Sequence, residues 1–127
     1  MNIEEKRKRL YEELLLLLRS TGTTVSRRIS GDSIIPPGNV AKYYEYMQQK
    51  LTSKEDLLAL QRVVVSECMG LFHSFFCILD GVNLNFDAFP IALIDSDTNE
   101  DLNPERETTY HDSFLDYLYE NMSPDEL

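Results

Sequence analysis

Basic residues are scarce in this chain of 127: twelve Lys and Arg stand against twenty-two Asp and Glu, giving a formal net charge of −10. That shortage argues against a direct grip on nucleic acid, which needs clustered Lys and Arg to neutralise phosphates. Cysteine is limited to Cys68 and Cys77, nine positions apart in one apolar segment. On a helix that spacing sets their α-carbons roughly 13 Å apart, beyond the roughly 7 Å limit for a disulfide. The two are read as free thiols in a reducing compartment. Long apolar runs are missing as well. The stretch CMGLFHSFFCIL contains His73 and falls short of the roughly 20 residues that cross a bilayer. The basic residues 6–9 precede LLLLL, but Glu12 and Glu13 interrupt them and the run is too short for a signal peptide. A cytoplasmic protein with no membrane segment is expected. No GxSxG, P-loop or dinucleotide fingerprint occurs, and there is no internal repeat.

What the chain does contain is enough to fold. Apolar residues make up 43% and aromatics 10%, richer than a disordered chain, and the length suits a single domain over 1–127. Residues 3–19 predict an amphipathic helix with Ile3, Leu10, Leu14, Leu17 and Leu18 on its apolar face. The Ser, Thr, Gly and Pro content of 20–38 predicts a flexible loop, with Pro36 and Pro37 barring a helix from running through. Asn39 can cap a second helix to about residue 51, lined by Val40, Tyr43, Tyr44, Met47 and Leu51, with Tyr46 turned away from them. A third helix is expected over 53–79, opened by a capping box of Thr52 with Glu55 or of Ser53 with Asp56. Its VVVSECMGLFHSFFCIL stretch is apolar almost all round, the pattern of a helix in the middle of a fold. Gly81 is placed to end that helix in a left-handed conformation.

Beyond it, Val82, Leu84 and Phe86 alternate, and a second apolar run covers 89–94, so a small β-hairpin is expected there. Thr109 with Asp112 opens a last helix over 110–121, striped by Tyr110, Phe114, Tyr117, Leu118 and Met122. A short acidic tail occupies 123–127. The fold class is mainly α (α+β): about four helices with a small β-hairpin before the C-terminal helix.

The negative charge is unevenly placed. From residue 80 onward there are 13 acids against Arg106 alone, whereas 9 acids and 11 bases precede that point. The densest stretch, DSDTNED at 95–101, raises the question of a cation site. An EF-hand loop takes oxygen ligands at positions 1, 3, 5 and 12 and a Gly at 6. Asp95, Asp97 and Asn99 match the first three, but Glu100 stands where the Gly belongs and Arg106 where the bidentate Glu belongs. Asx turns within the loop are the expected use of these side chains, and no metal is assigned. Asp95, Asp97, Glu100, Asp101, Glu105 and Glu107 are instead the candidate contacts to a basic protein partner. A transition metal or thiol site would draw on His73, Cys77 and His111, with His73 and Cys77 one helical turn apart. That set lacks the paired spacing of a zinc motif, and burial of Cys77 leaves its thiol inert. No catalytic residues and no cofactor are assigned.

An apolar helix ending in FFCILDG, a short strand pair and a final HDSFLDYLYE helix resemble the small bacterial immunity proteins, which neutralise a toxin made by the same or a neighbouring cell. The resemblance spans roughly 55–120 and rests on pattern, so no residue roles are carried over. It implies a cytoplasmic, non-enzymatic binding protein that blocks a toxin domain, often a basic nuclease, by covering its active site. A small metal- or thiol-dependent enzyme and a regulatory or phage-encoded adaptor are the alternatives.

Overall fold

The computed structural model describes residues 1–82 and 89–127. Four α-helices carry the fold: α1 (Ile3–Ser30), α2 (Ala41–Lys50), α3 (Lys54–Leu79) and α4 (Tyr110–Asn121). Two short strands, β1 (Ile94–Asp95) and β2 (Glu100–Asp101), form an antiparallel hairpin ahead of α4. The architecture is mainly helical with a small hairpin, as the sequence leads one to expect. The chain divides into two compact units, one built from Met1–Leu15 with Met69–Leu127 and the other from Leu16–Cys68.

The first unit is organised around aromatic rings. Tyr11, Phe76, Tyr110 and Phe114 are all buried, with Leu15, Leu79, Leu118 and Met122 around them. Phe76 stacks on Tyr110 at 5.8 Å between centroids and meets Phe114 at 5.0 Å, while Tyr11 lies edge-on to Phe76 at 5.8 Å. Tilted and edge-to-face pairs of this kind add about 0.5–1.5 kcal/mol each beyond the burial of their area. The stripe of α4 is therefore confirmed at Tyr110, Phe114, Leu118 and Met122. Its start is confirmed too, because the Thr109 hydroxyl accepts from the Asp112 amide at 3.3 Å and donates to the Asp112 carboxylate at 2.8 Å.

The second unit is aliphatic and sparser. Leu18, Ile29 and Val65 are buried, and Gly22 lets α3 approach so closely that a Cβ there would meet Val65 Cγ2 at 2.7 Å. α3 opens with the Ser53 and Asp56 box: the Asp56 amide donates to Ser53 Oγ at 3.0 Å and the Ser53 amide to Asp56 Oδ2 at 3.3 Å. α2 buries none of its residues, and both Tyr43 and Tyr46 are exposed, beneath the ammonium groups of Lys42 and Lys50.

Several expectations are corrected. α1 does not stop near residue 19: it continues through most of the stretch expected to be a loop, to Ser30, and the connection to α2 is correspondingly shorter. Ser20 and Thr23 turn their hydroxyls back onto the carbonyls of Leu17 and Arg19, so they stay in the helix rather than ending it. Gly31, with φ 88°, closes it: its amide donates to Arg28 O at 3.2 Å and that of Asp32 to Arg27 O at 2.9 Å, the paired bonds of a Schellman motif. Gly81 closes α3 in the same way, as expected.

The buried stripe of α1 is Tyr11, Leu15, Leu18 and Ile29, about one residue out of phase with the expected face, and Leu17 is exposed. α3 is packed on one face only. Leu58, Val63, Leu71 and Phe75 are exposed, so the expectation of a helix enclosed on all sides does not hold. By length and composition α3 could cross a membrane, with 17% of its apolar window buried; the helix is longer than the apolar run that seemed too short. Residues 83–88, with Leu84 and Phe86, lie outside the described residues; among the described ones 89–93 carry no strand, and the hairpin pairs from Ile94.

Candidate functional site

Pairing Ile94 with Asp101 and Asp95 with Glu100 makes the acidic stretch the turn of the hairpin itself. Asp95 organises that turn. Its Oδ1 accepts from the amides of Asp97 at 2.9 Å and Thr98 at 3.4 Å, and its carbonyl accepts from the Asn99 amide at 2.7 Å. Asn99 takes φ 59°, a conformation that Asn tolerates better than most residues. The alternating acids are thus an Asx turn. The other oxygen of Asp95 faces Lys6 of α1, whose ammonium lies 2.7 Å from Asp95 Oδ2 and 2.9 Å from Glu100 Oε1. Lys6 thereby pins both sides of the hairpin to the first helix, and its hydrogen bond holds the Asp95 carboxyl below the ordinary carboxylate range. The Lys6 ammonium is raised in turn, first by its hydrogen bond to Asp95 and next by that to Glu100.

At the next residue of α1, Arg7 Nη1 donates to Leu102 O at 3.2 Å and to Asn103 Oδ1 at 3.0 Å. Asn103 is buried, donates its Nδ2 to Thr108 O at 2.8 Å, and donates its backbone amide to Asp101 Oδ1 at 2.8 Å. No periodicity marks Asn103 in the sequence; only its position between the acids and Pro104 suggests a turn. The six candidate acids therefore divide. Asp95, Glu100 and Asp101 serve the hairpin and its attachment to α1, whereas Asp97, Glu105 and Glu107 are exposed.

His73, Cys77 and His111 do meet. The His73 and His111 rings are 5.4 Å apart and edge-to-face, and Cys77 Sγ is 3.9 Å from His73 Nδ1. The organising group is Asp80. Its carboxylate accepts from the amides of Tyr110 at 2.8 Å and His111 at 2.9 Å and from His111 Nδ1 at 2.6 Å. It thus sits on the free amides at the N-terminus of α4, where a negative charge is favoured by the helix dipole. This joins the end of α3 to the start of α4. His111 Nδ1 is committed to Asp80. Among the described residues no group of three or more His, Cys, Asp and Glu is placed to hold a metal ion. Burial, then Asp80 and Asp112, pushes the Cys77 thiol up, away from the thiolate that nucleophilic chemistry needs. Burial likewise pushes Tyr110 up to about 12.

An open cleft of about 590 Å³ lies along one side of α1 and α4. α1 contributes Glu4, Arg7, Lys8 and Tyr11 to it, and α4 contributes Ser113, Asp116, Tyr117 and Glu120. Both sets recur at three- and four-residue intervals, so each is one helical face. Comparison with known proteins finds no family model, no curated protein and no solved structure that matches this chain.

Proposed function

We propose that this chain is a non-enzymatic, cytoplasmic binding protein that inhibits a basic protein partner, in the manner of the small bacterial immunity proteins, with a toxin domain such as a nuclease as its target. The observation that carries the reading is the segregation of charge. The unit made of Met1–Leu15 and Met69–Leu127 has 17 acids against 5 bases, while Leu16–Cys68 has 5 acids against 7 bases. A net −12 on one unit of so small a protein steers a basic partner toward it and speeds capture, and the effect falls with ionic strength. The exposed acids Asp97, Glu105 and Glu107 are the contacts proposed on the hairpin side. The second reading, a metal- or thiol-dependent enzyme, draws on the meeting of His73, Cys77 and His111; the bond of His111 Nδ1 to Asp80 and the raised thiol weigh against it.

The test is capture of partners by tagged protein from its native cell lysate at low and high salt, with identification by mass spectrometry. A stoichiometric basic protein is expected, retained at low salt and weakened by the triple variant Asp97→Asn, Glu105→Gln, Glu107→Gln, which leaves the Lys6 clamp intact. Undiminished affinity of that variant for the captured protein would remove these three acids from the interface.

A further inference from the structure

The α1 and α4 cleft gives the partner reading a point of contact that the acidic hairpin does not. Its floor is aromatic: Tyr11 and Tyr117 lie 5.9 Å apart between centroids with their planes tilted by 47°. The Tyr11 hydroxyl is 2.6 Å from Ser113 Oγ, so this ring is fixed in place before anything binds. Around the floor stand three carboxylates, Glu4 at one end of the α1 stripe and Asp116 and Glu120 on α4. Two cations share the cleft. Arg7 is turned to Leu102 O and Asn103 Oδ1, so its charge is directed at the backbone behind the cleft. Lys8 is exposed at the rim. A second concavity, of about 300 Å³, shares Glu4, Arg7 and Thr108 with the first and adds Glu105 and Glu107. The acids thus continue along the groove from α4 toward the end of the hairpin loop.

Aromatic faces bordered by carboxylates suit one kind of side chain above others. A guanidinium stacks flat on a tyrosine ring and donates in its own plane to carboxylates, which an ammonium does less well. We infer that the α1 and α4 cleft is the receiving site for an arginine side chain of the basic partner, seated over half-buried Tyr117, which buried Tyr11 supports from below, and held by Asp116 and Glu120. The inference rests on the basic-partner reading and supplies its recognition chemistry. The cleft is the specific contact, and the exposed hairpin acids provide the longer-range attraction.

The experiment is titration of the full chain with a hexa-arginine peptide, and separately with hexa-lysine, by calorimetry at fixed ionic strength. Two charge-matched variants are compared, Asp116→Asn with Glu120→Gln in the cleft and Glu67→Gln with Asp125→Asn, both exposed, outside it. The cleft pair is expected to weaken hexa-arginine about fivefold, as two exposed ion pairs of about 0.5 kcal/mol each would. The outside pair should change it less than twofold. Tyr117→Leu should lower hexa-arginine affinity about threefold while leaving hexa-lysine nearly unchanged, the mark of lost guanidinium stacking. Equal losses in the two charge-matched variants, or no preference for arginine, would overturn the cleft as the site and leave diffuse attraction. Because a partner captured from lysate would still stand in that case, the two readings fail separately.

Discussion

The two units use opposite means of holding themselves together. The unit of residues 1–15 and 69–127 contains ten of the thirteen aromatic residues and is tied by directional bonds: Lys6 on the hairpin, Arg7 on Asn103, Asp80 on the head of α4. The unit of 16–68 has only Tyr43, Tyr44 and Tyr46, with Tyr43 and Tyr46 exposed, and relies on small aliphatic contacts such as Val65 over Gly22. One unit is rich in acids and rigid polar anchors, the other nearly neutral with exposed apolar side chains. A surface meant to present charge in a fixed pattern needs the first kind of construction, since self-repulsion among 17 acids works against compactness.

This contrast can be broken most directly at the aromatic core. Phe114 is fully buried, with Tyr11, Phe72 and Phe76 against its ring. Phe114→Ala should cost about 3–5 kcal/mol in urea unfolding, and Leu18→Ala, in the aliphatic unit, about 2–3 kcal/mol. A larger loss at Leu18 would reverse the ranking. Asp80→Asn comes next, with a loss of about 2–3 kcal/mol, because it removes the charge that receives two α4 amides and the His111 ring. His111 Nδ1–H should also lose its protection from hydrogen exchange.

Glycine substitutions should sharpen the comparison with smaller effects of opposite sign. Gly22→Ala places a methyl 2.7 Å from buried Val65 and 3.1 Å from Gln61 O, and overpacking outweighs the helix propensity gained, for a net loss of about 1 kcal/mol. Gly70→Ala, with open space around it in α3, should stabilise by about 0.5–1 kcal/mol. The smallest effect concerns pH. Asp95 is depressed in the folded state, so its contribution is present above the ordinary value of 3.8 and is lost as pH falls through its lowered pKa. Lys6 is raised above 10.5, so the same clamp weakens only as pH climbs beyond that value. The urea midpoint of Asp95→Asn should therefore fall less steeply than the parent's below pH 3.8, and an unchanged slope would mean that the clamp contributes nothing to folding.

Helices with a local start and stop were legible in the sequence. Ser53 with Asp56, Thr109 with Asp112 and Gly81 are short-range signals, and α3 and α4 begin, and α3 ends, where these residues place them. α1 was misread because Ser, Thr and Gly count against a helix by propensity, while its real stripe continues through Leu18, Gly22, Val25 and Ile29 at helical spacing. Gly22 there serves a close approach, and Gly31 is the true terminator. The acidic loop was legible as a set of Asx turns, but the division of its acids was not, since Lys6 lies 94 positions from Glu100 and that separation leaves no local pattern. The pairing of Asp80 with His111 was hidden for the same reason, and the cleft is made of two faces that only the fold sets side by side.

The discontinuous make-up of the acidic unit also bears on how the chain is made. Its first fifteen residues leave the ribosome long before their partners: Tyr11 must wait for the end of α3 to find Phe76, and for α4 to find Phe114 and Tyr117. Residues 16–68, by contrast, are synthesised without interruption, and all their contacts with one another become possible while the acidic segment is still being made. The N-terminal helix therefore spends most of synthesis with one half already supplied with neighbours and the other half waiting.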